Sequence, residues 1–143
     1  GKTRLTDANI ATVVSQYVAT QGGASTNAIY FVLTSSNVTA SSGFCTQYCG
    51  WHTHGNILGS DIKYSFVGDP SANLGACTGQ TVSPNNNAAM DGMISVITHE
   101  LEETATDPQL NGYYDGRGYE NADKCAWNFG TTSTLPSGSS VAV

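Results

Sequence analysis

The chain has 143 residues, a net charge of −6 and only 11% charged residues. This length suits one domain with a single core, and the lack of a basic patch argues against nucleic acid or an anionic membrane as a partner. No apolar run reaches the length of a membrane span. The low charge, with many Ser, Thr, Asn and Gly residues, is typical of a secreted protein. The chain begins without a signal peptide, so we expect that segment to have been removed or to lie outside this sequence.

The first two segments have the patterns of a helix and a strand. Residues Leu5–Thr20 carry apolar side chains at helical spacing, with Thr6 or Asp7 available as the cap, and they predict a packing helix. Consecutive branched and aromatic residues within Asn27–Thr34 predict a buried strand. Neither segment contains residues that suggest chemistry.

Two histidines follow in a segment with strand character. If Trp51–His54 is extended, His52 and His54 point to the same face, where they could bind a metal or meet a substrate. Each could instead form hydrogen bonds inside a polar turn. The next segment, Ile62–Gly68, alternates as a second strand does, and Asp69-Pro70 ends it.

A longer helix is predicted after a polar loop at Ser71–Asn87. Its apolar residues recur at steps of three and four: Met90, Met93, Ile94, Ile97 and Leu101. Asn87 or Asp91 could cap its start. Pro108 disfavours helical geometry at the residue before it, so we expect the helix to end near Ala105.

The end of this helix reads His-Glu-x-x-Glu. His99 and Glu103 are four residues apart and lie on one side of the helix. Residues 91–123 contain eight acids and one base, Arg117, and carboxylates are disfavoured at the carbonyl end of a helix. Either the acids are solvated or a cation lies among them. The familiar zinc pattern is His-Glu-x-x-His, with the inner glutamate as general base, and Glu103 would replace the second histidine with an oxygen ligand that zinc also accepts.

A catalytic zinc ion needs three protein ligands and one open position. His99 and Glu103 supply two of them. The candidates for the third ligand are Asp107, Glu120, Asp123 and His52. We favour Asp123, because Cys125 would anchor it, and we interpret Asp107 as a turn cap at the Asp-Pro step.

The chemistry of such a site would be amide hydrolysis. The metal would lower the pKa of a bound water, Glu100 would act as general base, and His52, His54 or Tyr114 could stabilise the oxyanion. We therefore predict a secreted, monomeric zinc-dependent endopeptidase, with Glu100 and His52 as catalytic residues, Zn²⁺ as cofactor and a peptide, cell-wall or host protein as substrate.

Two other function classes remain open. One is a non-catalytic cell-wall or receptor-binding protein, in which the acids hold a structural ion such as calcium. Calcium prefers six or more oxygen ligands and no imidazole. The other is a carbohydrate-binding module that uses Trp51, Trp127 and the tyrosines.

The four cysteines fit two disulfides in an oxidising compartment. Of the three possible pairings we favour Cys45–Cys49 with Cys77–Cys125, because the second bond would tie the loop before the long helix to the segment after it. Asn37-Val-Thr is a glycosylation acceptor pattern.

Five short motifs occur in order from about residue 27 onward: Cys49-Gly-Trp-His-Thr-His-Gly55, Ile62-Lys-Tyr-Ser-Phe-Val-Gly68, Ser83-Pro-Asn-Asn, Asp91-Gly-Met and Asn111-Gly-Tyr-Tyr. Together they resemble the secreted phosphate-induced protein family of plants, also called EXORDIUM-like. This resemblance implies an apoplastic protein linked to growth and cell-wall responses, without an established enzymatic activity.

The long helix departs from the plant pattern, which lacks His-Glu-x-x-Glu and tends to have Asn-Pro where this chain has Asp107-Pro108. With Glu120-Asn-Ala-Asp123, the helix looks more like microbial relatives that resemble zincin peptidases. A growth-signalling role is therefore not carried over. The expected fold is one α+β, zincin-like domain over residues 1–143, with a small sheet packed against a packing helix and a metal-bearing helix. Residues 131–143 are expected to be a flexible or truncated end.

Overall fold

The computed structural model describes residues 3–79 and 83–142. Its strands and helices, in chain order, are β1 (Arg4–Leu5), α1 (Asp7–Thr20), β2 (Ile29–Thr34), β3 (Thr39–Ala40), β4 (Gly50–Ile57), β5 (Ser60–Gly68), α2 (Leu74–Cys77), α3 (Ala88–Thr106), β6 (Thr132–Thr134) and β7 (Ser140–Ala142). Single 3₁₀ turns lie at Pro70–Ala72 and Ala122–Cys125. The chain is therefore mixed α+β with small sheets, as predicted.

The central sheet has three strands in the order β2-β5-β4. Strand β2 is parallel to β5, and β4 is antiparallel to β5, with His52 opposite Ser65. The hairpin between β4 and β5 turns through Leu58 and Gly59, which both have positive φ, the conformation that glycine adopts most readily. Two smaller sheets pair β1 with β3 in parallel and β6 with β7 in antiparallel.

Helix α1 packs against one side of the central sheet. Thr6 and Asn9 form a capping box at its start, which satisfies two backbone N–H groups that would otherwise lack partners. Its buried side chains are Ile10, Val14 and Val18, and they share a core with Ile62, Tyr64 and Phe66. Burial of such side chains stabilises a fold by about 1.5–3 kcal/mol each, so α1 is the packing helix that its spacing predicts.

Helix α3 buries only part of the predicted apolar stripe. Asn87 caps its start by accepting a hydrogen bond from the N–H of Met90, 3.2 Å away. Met90, Ile94 and Leu101 are 44%, 52% and 46% exposed. The buried residues are Ala89, Asp91, Gly92, Met93, Val96, Glu100, Glu103 and Thr104. Three acids of the helix thus point into the protein and are shielded from water, while Glu102 stays exposed.

The polar loop predicted at 71–87 contains the short helix α2. The 3₁₀ turn before α2 is capped by Asp69, whose carboxylate accepts a hydrogen bond from the N–H of Ser71 at 2.9 Å. Pro70 occupies the first position of this turn, where a backbone N–H would have no partner in the turn, so its absence costs nothing. At the other end of the chain, the segment 131–143 that was expected to be flexible or truncated contains β6 and β7, while Val143 lies outside the described residues. The organisation as one domain stays a prediction.

None of the described helices combines the length and apolar character that crossing a bilayer requires.

Candidate metal centre

Strand β4 lies against the last turns of α3, and a glycine permits this approach. A Cβ atom at Gly50 would lie 2.6 Å from Cγ1 of Val96, closer than real Cβ contacts come, and 3.1 Å from Oε1 of Glu100, which is closer than most of them. Because the backbone can come this close only without a side chain, His52 is brought directly over the acidic face of α3.

His52 lies among three buried carboxylates. Its Nδ1 is 3.3 Å from Glu100 Oε2 and 3.5 Å from Glu103 Oε2. Its Nε2 is 3.8 Å from Glu120 Oε1. All four residues are less than 10% exposed, so water does not screen their charges.

His99 forms a second group that shares Glu103 with the first. Its Nε2 is 2.9 Å from Glu103 Oε1 and 3.4 Å from Asp123 Oδ1. One oxygen of Glu103 therefore faces each imidazole. Both groups, His52–Glu100–Glu103 and His99–Glu103–Asp123, bring their ligand atoms within 4.8 Å of one another, and the second group is the ligand set favoured from the sequence.

Asp107 and Asp123 fix the returning loop, which is the segment after α3 that leads back to the end of this helix. Oδ1 of Asp107 accepts hydrogen bonds from the N–H groups of Asn111 and Gly112, at 2.8 and 3.2 Å, which are the contacts of a turn cap. Oδ2 of Asp123 accepts one from the N–H of Glu120 at 3.1 Å. The cap after α3 and the bond at Glu120 thus hold the returning loop in place.

Buried atoms without hydrogen bonds are concentrated at this cluster. Among the residues that the structure describes, six buried side-chain nitrogen or oxygen atoms lack a hydrogen bond, and two of them are the hydroxyls of Thr34 and Ser65. The other four are His52 Nε2, Glu103 Oε1, Asp107 Oδ2 and Glu120 Oε1. The short contact between Glu103 and His99 lacks hydrogen-bond geometry. Leaving such groups unpaired costs about 1–3 kcal/mol each, and more when they are charged.

The spacing of the ligand atoms is compatible with a shared cation. Two ligands of a tetrahedral zinc ion, each about 2.0–2.1 Å from it, lie roughly 3.4 Å apart. The contacts of His52 with Glu100 and Glu103, and of His99 with Asp123, span 3.3–3.5 Å, while His99 and Glu103 lie at the shorter distance of 2.9 Å. Imidazoles and carboxylates gathered at these distances fit a divalent ion.

Without an ion, the histidines themselves carry the charge that balances the acids. Burial lowers the pKa of His52, but Glu100 and Glu103 outweigh burial and raise this pKa to about 10. Burial raises the pKa of Glu103, but His52 and His99 lower it to about 2. Burial and the neighbouring Glu103 raise the pKa of Glu120 to about 7. A bound metal would take over this role and displace protons from the imidazoles.

The second histidine of β4 lies outside the cluster. Nδ1 of His54 is 2.7 Å from Oδ1 of Asp61, and the same carboxylate accepts hydrogen bonds from Lys63 at 2.9 Å and Gln109 at 3.0 Å. His54 is therefore part of an ion-pair network that ties the chain after α3 to the β4–β5 hairpin. Tyr114, the other predicted oxyanion donor, is next to Asp107; burial and that carboxylate raise the pKa of the phenol to about 12.

Comparison with known proteins identifies the family. Residues 1–141 match the family described as "Phosphate-induced protein 1 conserved region". This chain belongs to the phosphate-induced protein family.

Several plant members of the phosphate-induced protein family are similar to the chain. Protein EXORDIUM-like 3 of Arabidopsis thaliana is 37% identical over 123 residues, which cover 72% of this chain and 36% of that protein. Protein EXORDIUM, from the same plant, is 37% identical over 131 residues, which cover 78% and 38%. Protein PHOSPHATE-INDUCED 1 of Nicotiana tabacum is 36% identical over 114 residues, which cover 66% and 36%. The chain thus spans little more than a third of the length of these relatives. No solved structure matches it.

These findings confirm the resemblance to the EXORDIUM proteins and correct the predicted activity. The relatives are named for phosphate induction and EXORDIUM, not for peptidase activity, so the prediction of a zinc-dependent endopeptidase is wrong. What the comparisons contradict is the endopeptidase activity itself; the roles of Glu100 and His52 as catalytic residues are not tested and stay predictions. Nothing in the comparisons supports the narrower assignment to a microbial, zincin-like branch, and a zincin-like fold is not confirmed. The names do not decide whether the chain has some other enzymatic activity, which stays a prediction.

The disulfide in this family member is not one of the predicted pairs. Cys49 is bonded to Cys77, with Cα atoms 5.4 Å apart, while Cys45 is a buried thiol and Cys125 an exposed one. The predicted pairs Cys45–Cys49 and Cys77–Cys125 are wrong because helix α2 was not anticipated, and Cys77, at its end, meets the residue before β4. Asn37 is exposed, and its glycosylation stays a prediction.

Proposed function

We propose that this chain is a non-catalytic, secreted binding protein in which a zinc ion fastens the end of α3 to β4 and to the returning loop. The observation that carries the proposal is that two groups of candidate ligands share Glu103, and that His52 Nε2, Glu103 Oε1 and Glu120 Oε1 are buried there without hydrogen bonds. The resemblance of the sequence motifs to plant proteins linked to cell-wall responses, and the low proportion of charged residues, 11%, support a partner in the cell wall or on a cell surface, bound by the monomer.

The two imidazoles support zinc over calcium. Zinc accepts histidine nitrogen and carboxylate oxygen in one tetrahedral shell, whereas calcium needs six or more oxygen ligands. His99, Glu103 and Asp123 bring three donor atoms within 4.8 Å of one another, and His52, Glu100 and Glu103 form a second such group. Each group combines one imidazole with carboxylates, a set of donors that zinc accepts.

The two groups, joined by Glu103, connect three parts of the chain that lie far apart in sequence. His52 belongs to β4, His99 and Glu103 belong to α3, and Glu120 and Asp123 belong to the loop that follows. The ion would also relieve the repulsion of the acids at the carbonyl end of α3. Because the ligands come together only in the folded chain, the free energy of metal binding would contribute to folding.

Elemental analysis of the purified full chain tests the site. We expect about one zinc ion per chain in the wild type, and its loss in His99→Ala and in His52→Ala. His54→Ala is the matched control, because this histidine lies on the same strand but pairs with Asp61, and it should keep the metal. Equal zinc in all four proteins, calcium in place of zinc, or no metal in the wild type would reject the proposal.

A cleavage assay tests the non-catalytic part of the proposal. The zinc-loaded chain, incubated with a denatured protein such as casein, should leave it intact with or without a chelator. Cleavage that the chelator abolishes, and that Glu100→Gln lacks while it still binds zinc, would contradict a purely structural ion.

A further inference from the structure

A cavity of about 550 Å³ opens between α3, the turn before β4 and the segment after the last 3₁₀ turn. It lies beside the residues proposed to hold zinc, here named the zinc cluster: His52, His99, Glu100, Glu103, Glu120 and Asp123. Its volume is within the range of small-molecule sites, which occupy about 300–1,000 Å³. The Cys49–Cys77 disulfide lines the cavity, as do His99 and the aromatic pair Trp127 and Phe129. The proposed zinc ion would not by itself account for a cavity of this size.

Trp127 is held at this cavity by unusual backbone geometry. The φ angle of Trp127 is +63°, and that of Gly79 is +57°. An aromatic residue adopts a positive φ only at an energetic cost, and residues with such strained backbones concentrate at functional sites. A Cβ atom at Gly79 would overlap the indole ring. The ring stays 50% exposed and makes an edge-to-face contact with Phe129, at a centroid distance of 6.4 Å. A large aromatic face is thus fixed in position and left open to solvent.

The charges of the cavity exclude anionic ligands. The ionisable side chains of its lining, apart from cysteine thiols and one tyrosine, are His99, Glu100, Glu102 and Asp123, and no Lys or Arg is among the described lining residues. Three of these four belong to the zinc cluster, which leaves Glu102 as the remaining charge. Glu102 accepts a hydrogen bond from Asn121 through Oε1 at 3.1 Å. An uncharged ligand with many hydroxyl groups suits this lining best.

We propose that the cavity binds a neutral oligosaccharide, with one pyranose ring stacked on Trp127 and its hydroxyl groups bonded to Glu102 and Gln47. The face of an indole ring carries partial negative charge and attracts the polarised C–H groups of a pyranose face, while carboxylate and amide groups suit sugar hydroxyls. This proposal rests on the proposed binding function and names its ligand class. Trp51 takes no part, because its ring packs against Tyr64 and Phe66 at centroid distances of 5.9 and 6.0 Å.

A basic peptide is the competing occupant of an acidic cavity. It would need several carboxylates free to pair with Lys or Arg, and the zinc cluster engages most of those present. It would also leave the fixed Trp127 ring without a specific role. The lining therefore favours the saccharide.

Calorimetric titration of the full, zinc-loaded chain tests the proposal with cellohexaose, xylohexaose and mannohexaose, and with polygalacturonate and hexalysine as charged probes. We expect at least one neutral hexasaccharide to bind, and Trp127→Ala to weaken that binding by about tenfold or more. Trp127→Phe should retain part of the affinity. Tyr17→Ala is the matched control, because Tyr17 is 54% exposed on α1, outside the cavity, and it should bind as the wild type does.

Three results would overturn the saccharide proposal: no binding of any neutral hexasaccharide, equal affinity in the wild type and Trp127→Ala, or preferred binding of hexalysine or polygalacturonate. Gly79→Ala provides a second variant that keeps the indole but displaces it, and it should also lose affinity. The zinc content of the same samples separates the two proposals, since a chain that holds zinc but binds no saccharide rejects only the ligand class.

Discussion

Gly50 decides how closely β4 approaches the end of α3 that carries His99 and Glu103. In Gly50→Ala the new methyl group would lie 2.6 Å from Val96 Cγ1 and 3.0 Å from the carbonyl oxygen of Phe66. Neither neighbour is the free end of a flexible side chain, so the strand must move, at a cost of about 1–3 kcal/mol. His52 moves with the strand, and we expect zinc affinity to fall together with the free energy of unfolding, both measurable by urea titration and competition with a zinc dye.

Gly55 offers the matched control for this substitution, since it lies on the same strand and its added methyl group would meet Tyr64 only at an ordinary 3.8 Å. Gly55→Ala should leave zinc affinity unchanged. If Gly50→Ala keeps full zinc affinity, the close approach of β4 to α3 is not what positions His52.

The sequence predicted the members of the cluster better than the reasons for their positions. His99 and Glu103 follow from helical spacing. Asp123 was favoured because a bonded Cys125 would anchor it, but Cys125 is a free thiol. His52 was one of four candidates for the third ligand, and its place depends on the register of β4 with β5 and on the absence of a side chain at Gly50, which are both tertiary features. A glycine at the start of a strand with two histidines was the available signal, although it does not say which histidine faces the helix.

At the scale of elements, the start of α3 depends on Asp91. Oδ1 of its carboxylate accepts a hydrogen bond from the side chain of Asn85 at 2.6 Å, and Oδ2 accepts one from the backbone of Asn85 at 3.1 Å; Ser83 donates a third. Asn85 in turn exchanges hydrogen bonds with the backbone of Ser140. Asp91 thus connects the first turn of α3 to the β6–β7 hairpin.

We expect Asp91→Asn to reduce stability at pH 7 by about 1.5–3 kcal/mol, the range for hydrogen bonds to a charged group. Burial raises the pKa of Asp91, but the bonds from Ser83 and Asn85 outweigh it and hold the pKa below its usual range. A depressed folded-state pKa gives stability that is fully present above the unfolded value of about 3.9 and is lost as the pH falls through the folded value. The difference between variant and wild type should therefore disappear in acid.

Urea unfolding at pH 7 and near pH 2.5 measures this difference. Asp7→Asn, at the exposed first turn of α1, is the control, with an expected loss of about 0.5 kcal/mol. A difference for Asp91→Asn that persists unchanged at the acidic pH would show that packing, and not the carboxylate charge, accounts for the effect.

The two long helices show when helical periodicity is enough to predict the buried face and when it is not. The buried face of α1 follows from its spacing because its apolar residues occupy one side. In α3, apolar residues occur on both sides, so the pattern predicts a helix but not its rotation. The structure buries Met93 and Val96 with the acids and leaves Ile94 and Leu101 half exposed. The strand positions were predictable, whereas α2 was too short to produce a period.

At the scale of the whole molecule, the apolar core is divided unequally. The larger cluster lies between α1 and the central sheet. The smaller one, beneath α3, contains only Val67, Met93 and Val96 as buried residues in the described chain. The acidic end of α3 lies beyond this small core, so its attachment depends on the neutralisation of buried charge. A bound ion should therefore contribute a large part of the stability of this half of the molecule.

Thermal unfolding in zinc-buffered solutions tests this dependence. An ion that binds only the folded chain stabilises it by RT ln(1 + [Zn²⁺]/Kd), so each tenfold rise in free zinc above Kd should add about 1.4 kcal/mol and raise Tm. Calcium at the same concentrations should not raise Tm, since two imidazoles suit it poorly. His99→Ala should lose the dependence on zinc, and His54→Ala should keep it. A zinc-dependent rise in Tm of equal size in both variants would mean that the ion binds elsewhere, and that the buried acids of α3 are balanced by their histidines alone.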